Sequence, residues 1–103
     1  MNQAIAGVYR IFDTHGASFV GFSRNVNGTL KRLKFELSLN ACSFRSLQRF
    51  WNESGPLEME VLEEMSCEGM DDIEFDARLR ACMLKWQKAL GENTRLVQTA
   101  VEV

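Results

Sequence analysis

Two tripeptides, Gly7-Val8-Tyr9 and Phe19-Val20-Gly21, stand on either side of the turn-forming run Asp13-Thr14-His15-Gly16. Apolar and aromatic residues flanking a short polar link that contains glycine predict a β-hairpin, with strands over 6–12 and 17–22. A small, a β-branched and an aromatic residue recur in each arm in mirrored order, which sets Tyr9 and Phe19 on neighbouring strands.

Helical periodicity follows. Val26, Leu30, Leu33 and Leu37 fall on one helical face, with Ser23 or Asn25 as the cap and Asn40 as the stop. A second helix is expected from Ser43, with Phe44, Leu47, Phe50 and Trp51 as its apolar stripe; Gly55 ends it and Pro56 prevents its continuation. Leu57, Met59 and Val61 alternate with Glu58 and Glu60, so 57–62 reads as a half-buried strand with one acidic face, followed by a loop over 64–70. Asp71 or Asp72 caps a long third helix that runs to Leu90, with Phe75, Leu79, Cys82, Trp86 and Leu90 buried and Gly91 as terminator. The order β-β-α-α-β-α predicts an α+β domain over 1–91, a small antiparallel three-stranded sheet flanked by helices, with 92–103 as a loose C-terminal tail.

At 103 residues the chain has room for one core, and it contains no internal repeat. Its start lacks the basic and apolar regions of a secretory signal, and no apolar run approaches the ~20 residues of a membrane span, so a soluble, cytoplasmic protein is expected. Cys42, Cys67 and Cys82 are odd in number and widely spaced, and His15 is the only histidine; the pattern argues against a zinc site and for reduced, mostly buried thiols.

Net charge is −2, which argues against nucleic-acid binding over the whole surface. The charge is nevertheless divided along the chain. Arg10 to Arg49 holds seven basic residues and two acids, whereas Glu53 to Asp76 holds ten acids and no base. Two differently solvated faces account for this division. So does a basic platform for phosphates beside an acidic site able to hold a metal.

The paired tripeptides resemble the Gly-Ile-Tyr and Tyr-Ile-Gly signature of the GIY-YIG nuclease superfamily. Gly21-Phe22-Ser23-Arg24-Asn25-Val26 is similar to the passage from that family's second strand into its first helix. Trp51-Asn52-Glu53-Ser54-Gly55, followed by Glu60-Val61-Leu62-Glu63, is similar to its turn and third strand. The resemblance covers roughly residues 6–64.

What the resemblance implies is metal-dependent DNA endonuclease chemistry. Tyr9 matches the tyrosine proposed to deprotonate water, and Glu63 matches a glutamate that holds one Mg²⁺ or Mn²⁺. A phenol has an ordinary pKa near 10, so a nearby metal or cation has to ease its proton loss. Phe19 stands at the second tyrosine without its hydroxyl, the family arginine falls by spacing at Thr29, and a helix histidine falls at Leu33. Arg32, one turn beyond Thr29, is the candidate substitute for the missing positive charge. Arg24, Asn25 and Lys31 are candidate DNA contacts.

Loss of a charge that stabilises a transition-state phosphate removes orders of magnitude in rate. The alternative is therefore a catalytically inactive member of this fold that binds DNA or a protein. A homodimer built on the third helix is a weaker third reading. The endonuclease reading requires that the phenol of Tyr9 and the carboxylate of Glu63 share one pocket.

Overall fold

A computed structural model describes residues 5–55, 57–66 and 68–97. The elements are β1 (Ala6–Phe12), β2 (Ser18–Ser23), α1 (Val26–Ser38), α2 (Arg45–Ser54), β3 (Glu58–Met65), α3 (Asp72–Leu90) and β4 (Thr94–Leu96). The hairpin forms as its sequence predicts. Tyr9 opposes Gly21 and Ile11 opposes Phe19, and Asp13 Oδ1 closes the turn by accepting from the amides of His15 and Ala17.

Alternation along β1 divides the molecule into two layers. Tyr9 and Ile11 point with Phe19 into a core shared with Leu33 and Leu37 of α1 and Leu47 of α2. Val8 and Val20 point to the other face, against Cys82 and Met83 of α3. Ala6 extends that second face toward Phe75 and Leu79. Each helix turns the stripe read from its sequence toward the sheet, and Met83, outside the predicted stripe of α3, is fully buried beside it.

The sheet order is β3-β1-β2-β4. The expected antiparallel three-stranded sheet is thus corrected to a mixed four-stranded one: β4 pairs parallel with β2, Phe19 opposite Arg95. The added strand lies within the stretch read as a tail. Only three residues long, it is too short to display a strand period. Residues 98–103 lie outside the described residues, as do Pro56 and Cys67.

Strand β3 is longer than its alternation suggests. Register with β1 shifts between Val8 and Tyr9, where Val8 opposes Glu63 while Tyr9 opposes Val61. This is a β-bulge at Leu62, and it breaks the period that defined the strand in sequence. Gly7 permits the bulge: a Cβ there would collide with the carbonyl oxygen of Glu63.

Helix caps follow the sequence closely. Asn25 Oδ1 accepts from the amide of Gly28 at 3.1 Å, Asp71 Oδ1 accepts from that of Glu74 at 2.8 Å, and Asn40 adopts φ +59° just past α1. Helix α2 begins at Arg45, with Phe44 at its cap and no side-chain cap bond. Cys42 and Cys82 are buried free thiols. Among the described residues no helix is long and apolar enough to cross a membrane.

Candidate active site

Tyr9 is 1% exposed. Burial holds its phenol well above the ordinary range, the guanidinium of Arg32 pulls it back in part, and Cys42 adds to the rise. Arg32 stands one turn beyond Thr29 on α1 and is exposed. Its Nε also lies 3.8 Å from Glu36 Oε2 on the same helix. A base that removes a proton from water has to shed its own proton first, and desolvation opposes that at Tyr9.

Glu63 is elsewhere. It opposes Val8, so its side chain faces α3. There a single oxygen, Oε1, accepts from Trp86 Nε1 at 2.9 Å, Lys85 Nζ at 3.0 Å and Cys82 Sγ at 3.2 Å. Hydrogen bonds from Lys85, then Trp86 and Cys82, lower its carboxyl to about 2. The same contact helps to push the Cys82 thiol up to about 11, after the larger effect of burial. The expected single pocket does not form: Tyr9 and Glu63 occupy opposite faces of the sheet. The physical reason is strand parity, since Tyr9 follows Val8 and it is Val8 that shares a face with Glu63.

Nor does the surrounding of Glu63 fit a divalent cation. An ammonium, an indole N–H and a thiol occupy one oxygen, and the positive charge of Lys85 at 3.0 Å opposes the approach of a second cation. Among the described residues no three His, Cys, Asp or Glu side chains group as a metal site. The acid of β3 on the Tyr9 face is Glu64, opposite Gly7, and it is exposed.

Two of the three candidate DNA contacts have structural partners instead. The Arg24 guanidinium grips the start of α3, with Nη1 on Asp72 Oδ1 at 3.0 Å, Nη2 on the Asp72 carbonyl at 2.9 Å, and Nε and Nη2 on Asp76 Oδ1 at 3.0 and 2.8 Å. The Asn25 side chain caps α1. Lys31 is exposed, and among the described residues it has no ion pair. Thr29 shares a 2.6 Å hydroxyl contact with Ser23, and Leu33 is fully buried.

The sequence reading missed Gln48, a buried polar side chain on the otherwise apolar inner face of α2. It also passed over Arg95, which, like Arg45 and Arg49 of the basic stretch, is exposed and, among the described residues, forms no ion pair.

The catalytic domain of the homing endonuclease I-TevI superposes with a TM-score of 0.71 at 24% identity, over 91% of this chain and 99% of that one. The fold is that of a GIY-YIG domain. A mutant form of the same catalytic domain, from the intron endonuclease I-TevI, gives a TM-score of 0.65 at 25% identity over 84% of each chain. No family model and no curated protein matches the sequence. The positions that the sequence resemblance singles out fall in this fold on β1 (Tyr9), β2 (Phe19) and α1 (Thr29 and Leu33).

Proposed function

We propose that this GIY-YIG domain binds DNA and has lost phosphodiester hydrolysis. The separation of Tyr9 from Glu63 by the thickness of the sheet carries the reading. A water activated at one residue and a metal held at the other do not meet at one phosphate. Exposed Lys31, Lys34, Arg45 and Arg49 on α1 and α2 support the binding half, because cations on one side of a domain concentrate phosphate there even when net charge is negative.

The test pairs plasmid nicking in Mg²⁺ or Mn²⁺ with duplex binding across a salt series. No nicking is expected at any metal concentration, with binding that weakens as salt rises and survives Tyr9→Phe. Metal-dependent nicking that disappears in Glu63→Ala overturns the loss of hydrolysis. Absence of binding at low salt removes DNA as the ligand and leaves a protein partner.

The endonuclease reading keeps one point in its favour, the charge of Arg32, which eases proton loss from Tyr9 against the larger effect of burial. Mg²⁺ or Mn²⁺ belongs to that reading alone.

A further inference from the structure

Phe19 and Arg95 are cross-strand neighbours in the parallel β2–β4 pair, so they share the sheet face that α2 covers. Where α2 and β4 diverge, the surface opens into a cavity of about 260 Å³. Its apolar wall is aromatic, with the rings of Phe19 and Phe50 centred 5.3 Å apart and tilted by 40°. Its rim sets Arg49 and Glu53 of α2 against Glu92, Asn93 and Arg95 from the turn and strand beyond α3. All five rim residues are exposed. Among the described residues none of the four charged ones is engaged in an ion pair.

We propose that this cavity holds one unstacked 5′-phosphorylated nucleoside, with phosphate on Arg49 and Arg95 and the base against Phe50. The ligand is a free mononucleotide or an unpaired position in a DNA strand; the second source rests on the DNA-binding reading above. The charge pattern selects this chemistry. Two arginines and two glutamates cancel, so a plain anion meets two carboxylates and a plain cation meets two guanidiniums. A ligand with an anionic end and a flat ring carrying N–H donors satisfies both halves. Guanidinium forks match phosphate oxygens, a carboxylate accepts from a ring N–H such as thymine N3–H, and every base has a face that stacks on an aromatic side chain. The volume lies just below the ~300–1,000 Å³ of sites for drug-sized ligands, which limits the occupant to about one nucleotide.

The experiment is calorimetric titration of the full chain with dTMP, thymidine, inorganic phosphate, a single-stranded oligonucleotide and a duplex. Saturable binding of dTMP at one site is expected, with thymidine and phosphate each weaker by about tenfold or more. Arg49→Gln and Arg95→Gln should each weaken dTMP by about tenfold or more, while Arg78→Gln on the far face of α3 leaves it unchanged. Thermal melts identify any variant that fails to fold; if either does, Arg49→Lys or Arg95→Lys takes its place, keeping the charge without the fork. Single-strand binding that dTMP displaces assigns the site to a DNA strand. Binding of dTMP without any DNA binding assigns it to a free nucleotide and removes the DNA reading. Duplex binding with no saturable dTMP binding, or dTMP binding indifferent to both arginine variants, overturns the cavity and leaves the DNA reading standing.

Discussion

Tyr9 and Glu63 lie on adjacent strands and point in opposite directions, the phenol into the core under α1 and α2 and the carboxylate toward α3. A bulge at Leu62 does not rescue the pairing, since it places Leu62 and Glu63 together on the α3 side while Val61 remains with Tyr9. The two residues therefore respond to different perturbations, and each offers its own test.

At Glu63 the test is acid. Its folded carboxyl titrates at about 2 against an ordinary 4.5. A depressed carboxylate contributes stability that is fully present above the unfolded value and is lost as pH falls toward the folded one. Urea midpoints of the native chain should drop between pH 4.5 and about 2, and the drop should flatten in Glu63→Gln. Solvent screens a carboxylate that is 38% exposed, which keeps the difference to about 1 kcal/mol. Mg²⁺ should leave the midpoint where it is. A Mg²⁺-dependent rise that vanishes in Glu63→Gln would instead put a metal at this carboxylate.

At Tyr9 the test is alkali. It is the only tyrosine in the chain, so its ultraviolet absorbance change can be read without overlap from another phenol. Burial raises its pKa above the ordinary 10.0, so the unfolded chain loses this proton before the folded one does. Stability should then fall as pH rises past 10, and phenolate absorbance should appear only together with unfolding. A phenol that ionises near pH 10 in the folded chain would return it to solvent, and to the list of possible bases. Tyr9→Phe should change stability by no more than about 1.5 kcal/mol.

At Gly7 the test is steric. Ala at this position sets a methyl group against the backbone of the bulge, where neither strand has a flexible side chain to yield. Overpacking of this kind costs about 1–3 kcal/mol, and a backbone obstacle places Gly7→Ala at the upper end. Gly16→Ala is a control of another kind: its φ of +94° is strained for alanine, but nothing lies within 4 Å of the added carbon. If Gly7→Ala unfolds at the native urea concentration, the bulge is not where the register places it.

Much of this fold is written in short-range signals. The hairpin, both side-chain caps, Gly91 as the end of α3 and the buried stripes all follow from spacing within one or two turns. The failures share a cause. Strand β4 exists because β2 has an open edge, and three residues carry no period of their own. The face taken by Glu63 depends on a bulge permitted by Gly7, on the neighbouring strand in space but 56 positions away in sequence. Arg24 reads as a free cation beside a helix start until α3 folds back to place Asp72 and Asp76 against it. Phe19, Thr29 and Leu33 were legible as departures from the signature, but whether the remaining residues still meet is a question of strand parity.

Gln48 gives the last test, because it joins α1 to α2 from within the core. Its Oε1 accepts from the Cys42 amide at 3.0 Å, and its Nε2 donates to the Leu37 carbonyl and to Asn52 Oδ1, both at 3.1 Å. Gln48→Leu preserves bulk and strands a buried amide and carbonyl, each costing about 1–3 kcal/mol, so a loss of about 2–4 kcal/mol is expected in urea. Gln48→Glu retains the acceptor toward Cys42 and regains a donor only when protonated. Its folded pKa should therefore be raised, its stability lost as pH climbs through that value, and its deficit against the native chain smaller at pH 4 than at pH 7. A deficit independent of pH would mean that the side chain fills space there and its hydrogen bonds do not hold the two helices together.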